Sequence, residues 1–334
     1  MKLFKPLIAA AAAVSLSFAA LPALAQNEIK ISHQWKQGTD GRDKAVRVFV
    51  EEVNKADPSL KFRIYPGSSL IAKPTAQVDA IQDGSLEMAV YPLVYATGKV
   101  PEFSITLMPG TVKSMDHAMR LKNTAFHKKL QEISEANGIH IVTWWWTPGG
   151  FATKDRVIAG PDSVKGLKMR AADPYMEEIL KAQGASIQSM ASTEIYPALQ
   201  SGVLDGLMTS AESFVSMRIY EQTKNATVGG EYSLFILLQP LIMSKQHWDK
   251  LTPKQKEIFE AAATKSEKFF NDGLQKEAAE KMVETFAKNG NAVRPLTKAE
   301  YDAWVAKAKE IAWPKFVKDA KDGQELLTLI QQVQ

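Results

Sequence analysis

The sequence predicts an α/β protein made of two lobes with a ligand cleft between them. Strand-like and helix-like patterns alternate from the N-terminal third to Pro148, and the alternation restarts after Gly150. This order favours mainly parallel sheets covered by helices. The chain ends in long helical patterns rather than further strands. A length of 334 residues is enough for two lobes that each have a core.

Residues 1–25 have the three-part pattern of a secretory signal. Lys2 and Lys5 precede an apolar run, and Ala23-Leu24-Ala25 forms a small-residue cleavage site. We expect cleavage after Ala25 and export to the periplasm. A membrane anchor is the alternative, but the apolar run is short and contains a proline. The chain has no cysteine, which excludes lipid attachment through cysteine, disulfides and thiol catalysis.

The first half of the chain predicts one α/β lobe. Val46, Phe49, Val50 and Val53 form an apolar stripe on a helix that Thr39-Asp40 can cap. Alternation and turn residues predict the remaining elements: strands at 28–35, 61–65, 87–91 and 139–146, and helices to about 55, at 74–82 and at 115–136.

Pro148-Gly149-Gly150 is the first predicted lobe boundary. Beyond it we expect strands at 151–158, 166–171, 186–189, 204–209 and 233–244, the last returning to the first lobe, and helices at 174–183, 193–201, 253–288, 298–320 (broken near Pro314) and 323–332. The predicted division is 26–147 with about 236–275 for lobe I, and 148–235 with about 276–334 for lobe II.

The sequence contains no recognised enzyme motif: no dinucleotide fingerprint, phosphate loop, nucleophile elbow or zinc-protease helix. The five histidines, at 33, 117, 127, 140 and 247, lack metal-ligand spacing. We therefore predict no cofactor and no metal. The 41 basic residues are interspersed with 37 acidic ones, so the charge balance does not indicate a nucleic-acid partner.

Two features suggest a binding site. Arg170 ends a strand-like run, and its guanidinium can hold a carboxylate through two parallel hydrogen bonds. An exposed arginine on a solvated strand is the alternative. Trp144, Trp145 and Trp146 precede the predicted boundary, where a cleft floor is expected, with the middle ring facing away from the other two. They could equally be core residues.

Segments along the whole chain resemble the solute-binding proteins of TRAP transporters, DctP type. These are SVKGLKMR at 163–170, STEIYPALQSGVLDG at 192–206, YPGSSL at 65–70 and IQDGSLEMA at 81–89. The resemblance implies two lobes that close over a small organic acid, with the helix at 253–288 spanning both. It also implies that Arg170 clamps the ligand carboxylate, and that Glu194 and Tyr196 support the cleft from below.

Three departures from the family pattern narrow the expected ligand. Thr209 stands near the place where the family often has an amide side chain, and Gly149-Gly150-Phe151 replaces a second arginine of some members. A dicarboxylate would then lack a second cation. Met208-Thr209 replaces the acidic or aromatic pair of metal-assisted relatives, although Glu212 leaves metal bridging open.

We therefore expect a receptor for a monocarboxylate with an apolar or aromatic body and a keto or hydroxy group. It would act as a monomer and deliver its ligand to TRAP membrane subunits. The expected ligand-binding residues are Arg170, Trp145, Trp146, Phe151, Thr209, Tyr91, Gln34 and Glu212.

Two alternatives remain open from the sequence. The protein could present its ligand to a sensor kinase, which the residues do not distinguish from transport. It could also be a secreted hydrolase or lyase that uses Glu194, Glu212 or Asp173 as a general acid or base.

Overall fold

The protein contains two β-sheets that are covered by helices. The structure is a computed structural model that describes residues 28–229 and 231–333; the predicted signal peptide lies outside them. The strands are β1 Ile29–Ser32, β2 Phe62–Tyr65, β3 Met88–Val90, β4 Ile139–Ile141, β5 Trp146–Thr153, β6 Lys168–Arg170, β7 Ser186–Ile187, β8 Gly206–Ser210, β9 Asn225–Val228, β10 Ile236–Leu238, β11 Leu241–Ser244 and β12 Ala292–Pro295.

Thirteen α-helices occur within the described residues. They are α1 Gly41–Ala56, α2 Gln77–Asp83, α3 Met115–Arg120, α4 Ala125–Ala136, α5 Pro174–Ala182, α6 Ile195–Gln200, α7 Ala211–Ser216, α8 Lys245–Trp248, α9 Pro253–Glu267, α10 Ala278–Lys288, α11 Lys298–Lys307, α12 Trp313–Asp319 and α13 Gly323–Gln332. Two π-helical segments, Lys268–Gln275 and Ala308–Ala312, follow α9 and α11.

Each sheet forms the centre of one lobe. The first lobe is built on the order β2-β1-β3-β11-β4, in which β1, β2 and β3 run parallel and β11 runs antiparallel to both of its neighbours. The second lobe is built on β12-β9-β5-β8-β6-β7, and β10 pairs with the start of β5. This mixed α/β architecture with two lobes confirms the predicted fold class.

Two extended segments of the chain lead from one sheet to the other. Residues 142–145 lead from β4 to β5, and Gln239-Pro240 leads from β10 back to β11. The two crossings are bonded to each other, since Gln239 N donates to Trp145 O at 2.9 Å. Gln239 is thus held at the junction of the two sheets.

The long helical segment spans both lobes, as expected. Its first part, α9, packs on α1, and its last part, α10, packs on α7 and β12. Thr252 begins α9 with a capping box, in which Thr252 Oγ1 accepts from Gln255 N and Gln255 Oε1 accepts from Thr252 N. The intervening π-helical segment contributes Phe270 to the core of the first lobe.

Three predicted elements were wrong in their continuity. The helix at 115–136 is divided into α3 and α4, because Asn123 takes a left-handed conformation (φ 64°) and Thr124 caps a new helix. The strand predicted at 139–146 ends at Ile141, and the next one begins at Trp146. The strand at 233–244 is two strands, because Pro240 cannot donate to a ladder.

The second half shows further differences of detail. β5 begins at Trp146, before Pro148-Gly149-Gly150, where the sequence predicted a lobe boundary, and continues through these residues to Thr153. The helix near Pro314 continues through the π-helical segment, since this proline lies in the first turn of α12 and needs no amide partner there. The lobe limits remain predictions. The last helix, α13, which they assign to lobe II, packs on α4.

Candidate functional site

A small cavity lies between the two lobes and is lined by residues from both. Its volume is about 20 Å³, which is room for roughly one water molecule. The lining residues come from the first lobe, the second lobe and the β10–β11 crossing, and they are Pro92, Val94, Tyr95, Leu107, Arg170, Ala172, Ser192, Met208, Thr209, Ser210, Phe235, Leu237 and Gln239. Tyr95 and Ala172 also line a wider groove of about 500 Å³.

Arg170 is a buried cation at this cavity. It ends β6 and is only 1% exposed. Its Nε and Nη2 each donate to Met190 O at 3.0 Å, and its Nη1 donates to Met208 O at 2.9 Å. These bonds to carbonyls use three of the five N–H groups and leave one on each terminal nitrogen, with the Tyr95 hydroxyl also within hydrogen-bonding reach of the guanidinium. Two such N–H groups are what a carboxylate needs for a bidentate contact.

No carboxylate within residues 28–229 and 231–333 forms an ion pair with Arg170. Burial lowers the pKa of its guanidinium, while Tyr95 and the more distant Glu177 and Glu194 raise it. An isolated buried charge costs several kcal/mol unless a counter-ion compensates for it. The site is thus arranged to favour an anion at the free edge of Arg170.

Arg42 is a second buried arginine, and its charge is already neutralised. Its Nε and Nη2 donate to the two carboxylate oxygens of Asp40 at 2.8 and 2.7 Å. Burial raises the pKa of Asp40, but Arg42 outweighs this effect and holds that pKa below its ordinary value. The guanidinium also lies over the Trp35 ring at 4.2 Å. The sequence did not identify Arg42 as a residue near the cavity, because its position at the start of α1 is the only local feature that distinguishes it from other arginines.

Arg42 also joins the lobes beside the cavity. Its Nη1 donates to Gln239 Oε1 at 2.7 Å and to Ser210 Oγ at 3.3 Å, and its Nη2 donates to Ser213 Oγ at 3.1 Å. Ser210 and Gln239 both line the cavity. The α1 start therefore contacts the second lobe through a fully buried set of hydrogen bonds.

Other hydrogen bonds close the cleft at its mouth. Tyr95, which follows β3, accepts from Ser192 N at 2.9 Å and donates to Ser192 Oγ at 3.3 Å. Ser104 donates to Asp173, which caps α5 by accepting from Met176 N at 2.9 Å. Burial raises the pKa of Asp173 to about 6. These contacts describe lobes in a closed arrangement.

Two glycines of β5 are required by close approaches beside the cavity. A Cβ on Gly149 would lie 1.9 Å from Phe235 Cζ, and one on Gly150 would lie 2.1 Å from Thr227 O. Neither position has space for a side chain. This explains in physical terms why no second arginine could occupy this stretch without rearrangement of its neighbours.

Arg170 and Thr209 are the predicted site residues that line the cavity. Tyr91 lies beside it: the residue is buried, donates its hydroxyl to Thr75 O at 3.3 Å and packs against the Tyr95 ring. Burial raises the pKa of the Tyr91 hydroxyl. Gln34 is buried too, and its amide has no partner among the described residues, but it does not line the cavity.

The predicted aromatic wall lies elsewhere. Trp145 packs against Phe270 in the core of the first lobe, and Trp146 packs against Trp144. Phe151 contacts Trp304, with ring centroids 5.1 Å apart. The expected alternation of the three tryptophans is present, but all are core residues. The apolar side chains at the cavity are instead Leu107, Phe235 and Leu237, which the sequence marks only as parts of apolar runs.

Glu212 joins the lobes and does not line the cavity. It accepts from Gly41 N at 2.9 Å and from Gln275 Nε2 at 3.3 Å. Glu194 and Tyr196 have local partners: Glu194 accepts from Ala191 N, and Tyr196 donates to Glu221. In the part of the chain that the structure describes, no group of three or more acidic, histidine or cysteine residues could hold a metal ion.

Among residues 28–229 and 231–333, no helix is both long enough and apolar enough to cross a bilayer.

Residues 31–319 match the model of the family DctP, bacterial extracellular solute-binding protein, family 7. The chain belongs to this family. It is 37% identical over 323 residues to a solute-binding protein of Albidiferax ferrireducens, covering 95% of this chain and 94% of the relative. It is 29% identical over 299 residues to the C4-dicarboxylate-binding periplasmic protein DctP of Rhodobacter capsulatus, covering 88% of each.

The fold is also that of a solved TRAP periplasmic solute-binding protein. The crystal structure from Rhodoferax ferrireducens, which holds bound malonate, superposes with a TM-score of 0.88 at 37% identity and covers 91% of this chain and 97% of that one. The predicted resemblance to TRAP solute-binding proteins is therefore confirmed. The family consists of binding receptors and not of enzymes, which removes the hydrolase or lyase alternative.

Proposed function

We propose that the protein is a periplasmic receptor that binds a small organic acid and delivers it to TRAP membrane subunits. The observation that carries this proposal is the buried Arg170, which has two N–H groups that no backbone carbonyl occupies and no carboxylate partner among the described residues. A ligand carboxylate would neutralise that charge. The binding of malonate by the 37% identical relative supports a ligand of a few carbons.

The expected ligand is a monocarboxylate with a short apolar body and a keto or hydroxy group. Arg170 is the one charged residue among the described residues that line the cavity, so a second carboxylate would have no cation there. Leu107, Phe235 and Leu237 would contact the apolar part. The cavity has room for about one water molecule, so any acid would require the lobes or the lining side chains to move apart, and a short acid would require the smallest movement.

Binding would favour the closed arrangement, because the ligand would contact both lobes at once. The closed surface would then be recognised by the membrane subunits. The receptor would act as a monomer and reach the periplasm through the signal at 1–25, cleaved after Ala25. The family and the relatives' periplasmic location support this placement.

Native mass spectrometry of the purified protein, followed by a thermal-shift panel, tests the proposal. The panel contains propionate, pyruvate, lactate and branched-chain keto acids, with malonate and succinate as dicarboxylates and glucose as a neutral control. Ligand at 100 times its Kd should stabilise the protein by about 2.7 kcal/mol. No shift with any acid would refute the proposed function, and a shift with the dicarboxylates alone would refute the assignment of a monocarboxylate.

A further inference from the structure

The amide of Gln239 can face the cavity in one way only. Its Oε1 accepts from Arg42 Nη1 at 2.7 Å and from Thr147 Oγ1 at 3.0 Å. An arginine side chain carries donors and no acceptor, so the amide NH₂ group cannot take the place of this oxygen. Asp40 holds Arg42 in position through two further bonds. The polarity of the Gln239 amide is therefore fixed by Arg42.

The Nε2 of Gln239 is left as a donor. It has no acceptor among the described residues, and Gln239 lines the same cavity as Arg170. Two neighbouring hydroxyl protons are already used. Ser210 donates to Ser213 Oγ at 2.9 Å, and Tyr95 donates to Ser192 Oγ. The carbonyls of Met190 and Met208 accept from Arg170. The cavity therefore offers N–H donors at Arg170 and Gln239, and its acceptors are uncharged hydroxyl and carbonyl oxygens.

We infer that Gln239 selects acids whose second polar group is an oxygen acceptor, such as a 2-oxo group, and discriminates against acids with an ammonium group. This inference rests on the proposed function, in which Arg170 holds the carboxylate. Gln239 Nε2 donates to the second oxygen of the ligand, and Arg42 and Thr147 act as positioning residues. An ammonium group would meet an N–H donor and no carboxylate of a described cavity residue, so its desolvation would not be compensated.

Three acids with the same carbon skeleton test this role by calorimetry. Propionate has no second polar group, pyruvate has a 2-oxo group and L-alanine has a 2-ammonium group. The wild-type protein should bind pyruvate about two- to twelve-fold more tightly than propionate, the value of one net hydrogen bond. It should bind L-alanine at least about ten-fold more weakly than propionate.

Two substitutions remove the donor in different ways. In Gln239→Met the pyruvate-to-propionate affinity ratio should fall to about one. Propionate should still bind, because Arg170 still holds its carboxylate. In Gln239→Glu all acids should weaken, and the preference for pyruvate over L-alanine should fall most, because a carboxylate then faces the cavity. Gln324→Glu, an exposed site on α13, introduces the same charge and should leave every ratio unchanged. Thermal unfolding without ligand shows whether each variant is folded.

The double variant Asp40→Asn/Arg42→Gln tests the positioning role. It removes both charges together and replaces the obligatory donor with an amide that can accept, so Gln239 can rotate and the pyruvate preference should weaken. An unchanged pyruvate-to-propionate ratio in Gln239→Met and Gln239→Glu would overturn the inference while leaving the proposed function intact. Binding of none of the acids by the wild-type protein, or undiminished binding by Arg170→Met, would overturn the proposed function together with it.

Discussion

Replacement of the two buried arginines by methionine should have opposite consequences. Arg170→Met is expected to abolish ligand binding and leave the protein folded. Arg42→Met is expected to destabilise the fold. Both guanidinium groups are almost inaccessible, so burial does not distinguish them. Their partners do, because Arg170 donates to backbone carbonyls whereas Arg42 pairs with the buried carboxylate of Asp40.

The magnitudes follow from what each substitution leaves behind. Without Arg170, Met190 O and Met208 O lose their donors, at about 1 kcal/mol for each bond, but an uncompensated charge is removed as well. The net change in stability should be small. In Arg170→Met the ligand carboxylate loses its buried cationic partner. This loss should cost about 2–5 kcal/mol of binding free energy, which is roughly a 30-fold to several-thousand-fold weaker affinity.

Without Arg42, Asp40 becomes an unpaired buried carboxylate. The expected cost is about 3–5 kcal/mol of unfolding free energy. At about 2 °C per kcal/mol for a chain of this size, Tm should fall by roughly 6 °C or more. The double variant Asp40→Asn/Arg42→Met should recover most of this loss, because no charge then remains buried alone.

Thermal unfolding with and without pyruvate measures both effects in one experiment. Arg63→Met, at an exposed arginine, is the matched control and should change neither Tm nor the ligand-induced shift. A ligand-induced shift of wild-type size in Arg170→Met would refute the assignment of the carboxylate clamp. Equal destabilisation by Arg170→Met and Arg42→Met would show that an unpaired charge is not what distinguishes them.

The remaining predictions concern the cleft and its closure. The unfolding free energy of the wild-type protein should fall by up to about 3 kcal/mol relative to Asp173→Asn as the pH rises from about 4 to 7. The reason is that burial raises the pKa of Asp173 in the folded protein to about 6 and thus favours its protonated form. Urea unfolding at several pH values measures this, and an equal pH dependence of the unfolding free energy in both proteins would contradict it. Gly149→Ala should destabilise the protein through a clash with the flexible side chain of Phe235, and Phe235→Ala should relieve part of that loss; additive losses in the double variant would contradict the clash. Gly150→Ala should show no such relief, because its clash is with the backbone oxygen of Thr227, and rescue by Phe235→Ala would count against this geometry.

Local sequence patterns predicted most of the fold. The apolar stripe of α1, its Asp40 cap, the segment of α13 and the strand that ends at Arg170 were all expected from periodicity and capping residues. The failures were at breaks. Asn123, between α3 and α4, adopts a left-handed conformation that many asparagines do not adopt, and β9 and β12 are short strands without a clear pattern.

The site was predicted less completely than the fold. Arg170 and Thr209 lie within recognisable segments and line the cavity, and their binding of a ligand stays a prediction, whereas the three tryptophans were assigned to the cleft by their position before the predicted lobe boundary. In the structure their rings pack within the lobes: Trp144 and Trp145 lie in the connection between β4 and β5, Trp146 begins β5, and all three side chains are buried in the cores. Phe235 and Gln239 were missed, because contacts across two lobes depend on tertiary placement that no local pattern encodes.

The comparison of Arg42 with Arg170 shows why residue type alone could not identify the cavity's chemistry. Each is a buried guanidinium, and each lies near the interface of the lobes. Arg42 has its counter-ion two residues away in the chain, so Asp40 neutralises its charge without a ligand, and its bond to Gln239 Oε1 orients that amide. Arg170 has only uncharged hydrogen-bond partners among the described residues, namely two carbonyls and the Tyr95 hydroxyl, and we expect a bound acid to compensate its charge. A receptor that binds an anion and then closes needs both: one charge left open for the ligand, and one paired charge that holds the surrounding donors in place.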